Sequence, residues 1–195
     1  MKKYLSAKDA SRIIKIYKQY KINYFPRITE YNISQFNSYI DFEWIEGSVI
    51  EDDKLPDAFY LLGTLHKQNK IKEKKTGFIT ICHGDFHQKN IIQNQKGIFF
   101  VDVIYINEGW NYSDLCYLDL FNLFPSIEYP WYIKSPECYE AYLRGLCVNF
   151  NEQTKDFIRK EITKYMLNYN INNGIKNGID VEFEKNILKK FLELS

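Results

Sequence analysis

No glycine precedes Gly47 in this 195-residue chain. The close backbone approach to phosphate that glycine permits is therefore excluded from the segment ahead of it. Histidines are equally scarce: His66, His83 and His87 are the only three. Four cysteines, Cys82, Cys116, Cys138 and Cys147, form no C-x-x-C pair. Each sits in an apolar stretch, so buried free thiols are expected, which suits a reducing cytosol. Charge of one sign is missing too: Lys+Arg 26 against Asp+Glu 25 leaves a net charge of +1. A nucleic-acid footprint would need a basic excess. No apolar run approaches the roughly 18 residues that span a bilayer. The opening "MKKYLSAKDASR" has no apolar core of a signal peptide. A cytoplasmic protein with neither membrane nor nucleic acid as partner is expected.

Apolar residues make up 45% of the chain, enough for a proper core. Ser6, with Asp9 three residues on, resembles a capping box. Ile13, Ile16, Tyr17 and Tyr20 then recur at helical spacing. Lys8, Lys15, Lys18 and Lys21 fall on its solvated side. "RITEYN" and "NSYIDFEWIEG" predict two strands, the second ending at Gly47. A second helix is expected from about Lys54 to Lys67, with Leu55, Phe59, Leu62 and His66 on one face. "FITI" predicts a short strand, "HGDFHQKN" a loop, and "IIQN" with "IFFVDV" a hairpin across the turn "NQKG". Helices are expected at 113–124, 135–150, 152–167 and 181–194.

The loop carries the chemistry. His83, Asp85 and His87 alternate, so an extended backbone would aim all three to one side, as a zinc site might require. Gly84 argues against a regular strand there, and the only other histidine, His66, lies on an apolar helix face. Phosphoryl transfer is the other reading. It needs one carboxylate to orient a hydroxyl and accept its proton, and an Asn/Asp pair to hold Mg²⁺ against phosphate oxygens. Asp85 and Asn90 lie five apart in the loop. Asp102 ends the apolar run "IFFV", where a carboxylate is costly to bury without a cation or donors.

The stretch "HGDFHQKNII…FFVDVIYINEGWNYSDL" resembles the catalytic segment of the aminoglycoside phosphotransferase and choline kinase superfamily. The matching positions are His83, Gly84, Asp85, Asn90, Asp102, Gly109 and Asp114. "IDFEWIEG" and "LLGTLHKQ" look like that family's hinge strand and the helix after it. The resemblance implies an α+β, protein-kinase-like fold. Residues 1–47 would form a reduced N-terminal lobe of one helix and about two strands, with the hinge strand. Residues 48–195 would form a mainly helical C-terminal lobe carrying the catalytic-loop hairpin. It implies Asp85 as catalytic base, Asn90 and Asp102 as Mg²⁺ ligands, and backbone contacts from Glu43, Trp44 and Ile45 to adenine. His83 would brace the loop, and Asp114 would cap the next helix and tie it to that loop.

The implied activity moves the terminal phosphate of Mg-ATP, or GTP, to a hydroxyl of a small molecule such as an aminoglycoside, choline or a sugar. The pattern departs from the family ahead of the hinge, where neither a glycine-rich loop nor a strand lysine is read. A shortened but active member, a piece of a split or decayed gene, and a non-catalytic binding module of kinase fold all fit that departure. The reduced lobe would also expose apolar edge that self-association could cover.

Overall fold

The computed structural model describes residues 1–115, 137–149 and 151–176, with isolated positions beyond Lys176. The helix expected at 113–124 lies outside these residues after Leu115, as does almost all of that expected at 181–194. The chain divides into two compact units, Met1–Phe150 and Asn151–Ser195. Among the described residues no helix is long and apolar enough to cross a membrane.

The first unit opens with strand β1 (Lys2–Leu5), helix α1 (Ala7–Gln19), and strands β2 (Ile28–Asn32) and β3 (Ser38–Phe42). The Ser6 hydroxyl accepts the Asp9 N–H at 3.1 Å and so satisfies one of the orphan donors at the start of α1. Ala10, Ile13, Ile14 and Ile16 are buried on one side of α1, while Lys8, Lys15, Lys18 and Lys21 are exposed. The three strands form one antiparallel sheet in the order β1-β3-β2.

Two strands were expected ahead of the hinge, and the structure has three. The extra one, β1, alternates exposed and half-buried residues, so Lys3 and Leu5 share the inner side. A lysine in an inward position hides the period-2 signal, which is why "KKYL" does not read as a strand.

Residues Glu43–Gly47 connect β3 to the short β4 (Ser48–Val49), and a 3-10 turn then leads into α2 (Leu55–Gln68). Leu55, Phe59, Leu62 and His66 are all buried on α2 as its periodicity requires. β5 (Lys72–Glu73), β6 (Phe78–Cys82), β7 (Ile91–Asn94), β8 (Gly97–Phe100) and β9 (Asn107–Trp110) follow. They make two further three-stranded sheets, β4-β7-β8 and β5-β6-β9. The β7–β8 turn is held by the Asn94 side chain, which accepts the Lys96 N–H at 2.8 Å.

Helix α3 (Glu137–Gly145) packs against α2. The two cross at Gly63 and Gly145: a Cβ on Gly63 would collide with the Tyr142 carbonyl, and one on Gly145 with the Tyr60 carbonyl. Cys82 and Cys138 are buried as expected, but Cys147 is exposed. It lies just past the end of α3 with φ 59°, in a turn rather than an apolar face.

The second unit contains α4 (Glu152–Lys176). Asn151 caps it by accepting the Thr154 N–H at 2.7 Å. The helix runs past the expected end at 167, and Ile158, Ile162, Leu167 and Ile171 are buried.

Gly63→Ala should destabilise the protein by about 1–3 kcal/mol, because the helices must part to admit the methyl group. Urea unfolding reads this; an unchanged midpoint would mean that α2 and α3 do not approach this closely.

Candidate active site

The site begins with a buried carboxylate. Asp114, in the 3-10 turn after β9, accepts the His83 N–H at 2.7 Å and the Gly84 N–H at 2.8 Å. His66 Nε2 meets the same carboxylate at 3.2 Å, and His66 Nδ1 lies 2.9 Å from the Tyr142 hydroxyl. Burial alone would push the Asp114 carboxyl up. The bond and charge of His66, with the Gly84 N–H, instead hold it below its usual range. A carboxylate only accepts, so Nε2 of His66 carries the proton. The Tyr142 hydroxyl also engages Asn111, accepting from its Nδ2 at 2.9 Å. Helices α2 and α3 are thereby linked to the turn at which the loop starts.

Among the described residues, His66, Cys82 and Asp114 have ligand atoms close enough for a metal. Their hydrogen bonds explain them without one. His66 is held from both ring nitrogens, and the Cys82 thiol donates to the Trp110 carbonyl at 3.3 Å.

At Gly84 the backbone has φ +84°, and a Cβ would collide with the Tyr105 carbonyl. Glycine is required there on both counts. His83 is fully buried, and its Nε2 lies 2.8 Å from the Val101 carbonyl. A carbonyl only accepts, so Nε2 is the protonated nitrogen and Nδ1 accepts the Asp85 N–H at 3.3 Å. His83 thus braces the loop, as the resemblance implied. Beneath it, Phe86 is buried in edge-to-face contact with Phe59 at 5.2 Å and Phe100 at 4.9 Å between ring centroids. Phe86 anchors the middle of the polar loop.

The loop brings Asp85 and Asn90 together. Asn90 Nδ2 donates to the Asp85 backbone carbonyl at 2.9 Å and to its carboxylate at 3.1 Å. The Asn90 carbonyl accepts the Val101 N–H at 2.8 Å, which sets Asn90 beside the strand that ends at Asp102. Asp102 itself is left-handed, with φ 59° and ψ 49°. Its Oδ1 is buried and ion-paired with Lys3 Nζ at 3.0 Å. The side chain as a whole is 37% exposed.

Lys3 is a site neighbour that the sequence reading missed: β1 delivers it to Asp102 at 3.0 Å, where no helix glutamate is its partner. Sequence spacing does not reveal it, because its partner lies about two-thirds of the way along the unit. The signal available was a lysine three residues before the serine that caps a helix.

Helix α1 is fixed to the same region. Arg12 donates to the Ile104 carbonyl at 2.8 Å and pairs with Asp9 at 3.1 Å. Tyr20, at the other end, donates to Glu108 at 2.9 Å. Glu43, Trp44 and Ile45 lie in the connector after β3, where Trp44 is 72% exposed. The Glu43 N–H is taken by the Arg27 carbonyl at 2.9 Å. Among the described residues the Ile45 N–H has no partner. A cavity of about 1690 Å³ opens beside this connector, and Lys3, Asp85, Asn90 and Asp102 do not line it.

No family model matches the chain, and no curated protein is similar to it. Among solved structures, an aminoglycoside-3'-phosphotransferase of type VIII is similar at 14% identity and a TM-score of 0.46, over 81% of this chain and 82% of that one. An amicoumacin kinase in complex with AMP-PNP, Ca²⁺ and Ami is similar at 11% identity and a TM-score of 0.45, over 94% of this chain and 74% of that one. Likeness at this level carries no activity across, so the chemistry has to come from the residues of the site.

A divalent cation fits those residues. Asp102 Oδ1 is a buried anionic oxygen that already faces a cation, the Lys3 ammonium at 3.0 Å, and Asn90 uses its Nδ2 on Asp85, which leaves its side-chain oxygen as a ligand. Hard oxygen donors of this kind suit Mg²⁺.

Burial pulls the His83 imidazole below its ordinary 6.5. The unfolded chain therefore binds the extra proton more readily as pH falls below 6.5. This part of the stability is complete above that pH and is lost below it, at no more than about 1.4 kcal/mol per pH unit for one proton. The urea midpoint should fall between pH 7 and pH 5.5, with a shallower fall in His83→Gln. An equal fall in both would show that His83 is not its source.

Proposed function

We propose that this protein is a phosphotransferase that moves the terminal phosphate of Mg-ATP or Mg-GTP to a hydroxyl of a small molecule. The observation that supports this reading is two side-chain pairs joined by one backbone hydrogen bond. Asp85 and Asn90 are hydrogen-bonded to each other, Asn90 is tied to Val101, and Asp102 meets Lys3. Asp85 is 26% exposed at its side chain, enough to meet an entering hydroxyl. It accepts the hydroxyl proton as the oxygen attacks the terminal phosphorus. The bond to the bridging oxygen breaks, and the nucleoside diphosphate leaves.

Asn90 and Asp102 would hold Mg²⁺, which when bound neutralises the phosphate oxygens. Lys3 brings a second positive charge to the same side, where the developing charge is greatest. The unpartnered Ile45 N–H and the backbone of Glu43 and Trp44 would meet the base. Acceptors such as an aminoglycoside, choline or a sugar all present the hydroxyl this chemistry needs. Positioning and charge supply most of the catalysis in such transfers, so a lobe without a glycine-rich cover weakens nucleotide binding more than it alters the chemistry.

The purified protein should show a thermal shift with Mg²⁺ and ATP or GTP together, and should turn the nucleotide over. Asp85→Ala should cut turnover by about a hundredfold or more while the protein stays folded by circular dichroism. Lys3→Ala should raise the nucleotide KM. A folded protein with neither shift nor turnover would refute the proposal and leave a binding module.

A further inference from the structure

His87 is the histidine that the chemistry above leaves unassigned. It precedes the 3-10 turn Gln88–Asn90, and the Asn90 N–H closes that turn on the His87 carbonyl at 2.9 Å. Side chains three residues apart in such a turn stand one above the other. The His87 ring therefore lies against the Asn90 amide, with Nε2 3.2 Å from Nδ2. The His87 side chain is 14% exposed, so the ring is held mostly out of water.

Three acceptors surround the Asn90 nitrogen, and two of them settle which end of the amide faces inward. The Asp85 backbone carbonyl lies at 2.9 Å and the Asp85 carboxylate at 3.1 Å. Neither a carbonyl nor an ionised carboxylate donates, so the end that meets them is the NH2 group. His87 Nε2 faces the same NH2 group. It therefore accepts, and the ring carries its proton on Nδ1.

Nε2 also lies 3.5 Å from the Asp85 carboxylate. A lone pair and an anionic oxygen repel at that distance, and the Asn90 NH2 group, within reach of both, offsets the repulsion. Turned over, the amide would aim its oxygen at the carboxylate, the carbonyl and the ring nitrogen together. The amide is thus fixed in one direction, and its oxygen leaves on the opposite side.

We infer that His87 is a positioning residue, whose Nε2 holds the Asn90 amide with the oxygen directed to the nucleotide's Mg²⁺. This rests on the reading of Asn90 as a metal ligand. Partners that orient a ligand from behind set its affinity for the ion, and their loss weakens it by about tenfold or more.

The test uses Mn²⁺ titrated into the purified protein with AMP-PNP, followed by the water-proton relaxation rate, which rises when the ion enters a slowly tumbling complex. His87→Ala should weaken Mn²⁺ binding by about tenfold. His87→Gln should recover most of that loss, because its side-chain oxygen reaches the place of Nε2. His87→Asn should not, because its amide reaches only the place of Nδ1. If His87→Ala fails to fold by circular dichroism, the comparison of Gln with Asn decides alone. No rise in the native protein would refute Asn90 and Asp102 as metal ligands, and this inference with them. Binding by the native protein that all three variants match, or that Gln and Asn weaken equally, would overturn only the role of His87.

Discussion

One buried carboxylate organises this molecule. Asp114 is removed from water, and such a group is tolerated only when its lone pairs are filled. Here the backbone N–H groups of His83 and Gly84 and the His66 ring fill them. Those same bonds fix where β6 stops and in what direction the loop leaves. The direction in turn requires the positive φ of Gly84, which lets the chain pass under the Tyr105 carbonyl. Asp85 and Asn90 inherit their places from that departure. Through Tyr142 the network reaches α3, whose close crossing with α2 at two glycines keeps the hydroxyl within range of His66. Packing and polar satisfaction are therefore not separate supports of the loop.

A second constraint acts on the other side of the site. Val101 has both backbone polar groups committed to the loop, its N–H to Asn90 and its carbonyl to His83. With the preceding residue held, Asp102 turns into the left-handed region, a conformation that aspartate tolerates better than most residues. That turn presents its carboxylate toward Lys3. A small backbone cost at one residue thus helps to bring strand, loop and lysine together.

Much of this is legible in the sequence wherever the signal is local. The Ser6 cap, the apolar face of α2 and the β7–β8 turn are each written within a few residues, and the structure reproduces them. The contact of Asp85 with Asn90 is legible for another reason: five residues apart in one loop, they are near enough to meet. What escaped depends on distant partners. Lys3 looks like one of many surface lysines until β1 pairs with β3. Phe86 looks like an incidental aromatic until Phe59 and Phe100 close on it. Cys147 misleads in the opposite direction, since its apolar neighbours in sequence end in an exposed turn.

The ion pair between Lys3 and Asp102 joins nearly the first residue of the first unit to a point about two-thirds along it. Contacts of such long range are formed against the entropy of closing the intervening chain. The loop that carries Asp85 and Asn90 is held by partners nearer in sequence, such as Asp114 and Val101, so its closure costs less chain entropy. Order of assembly therefore differs from order along the chain: β1 lies ahead of the loop in sequence, yet its charged partner is in place only once Asp102 is.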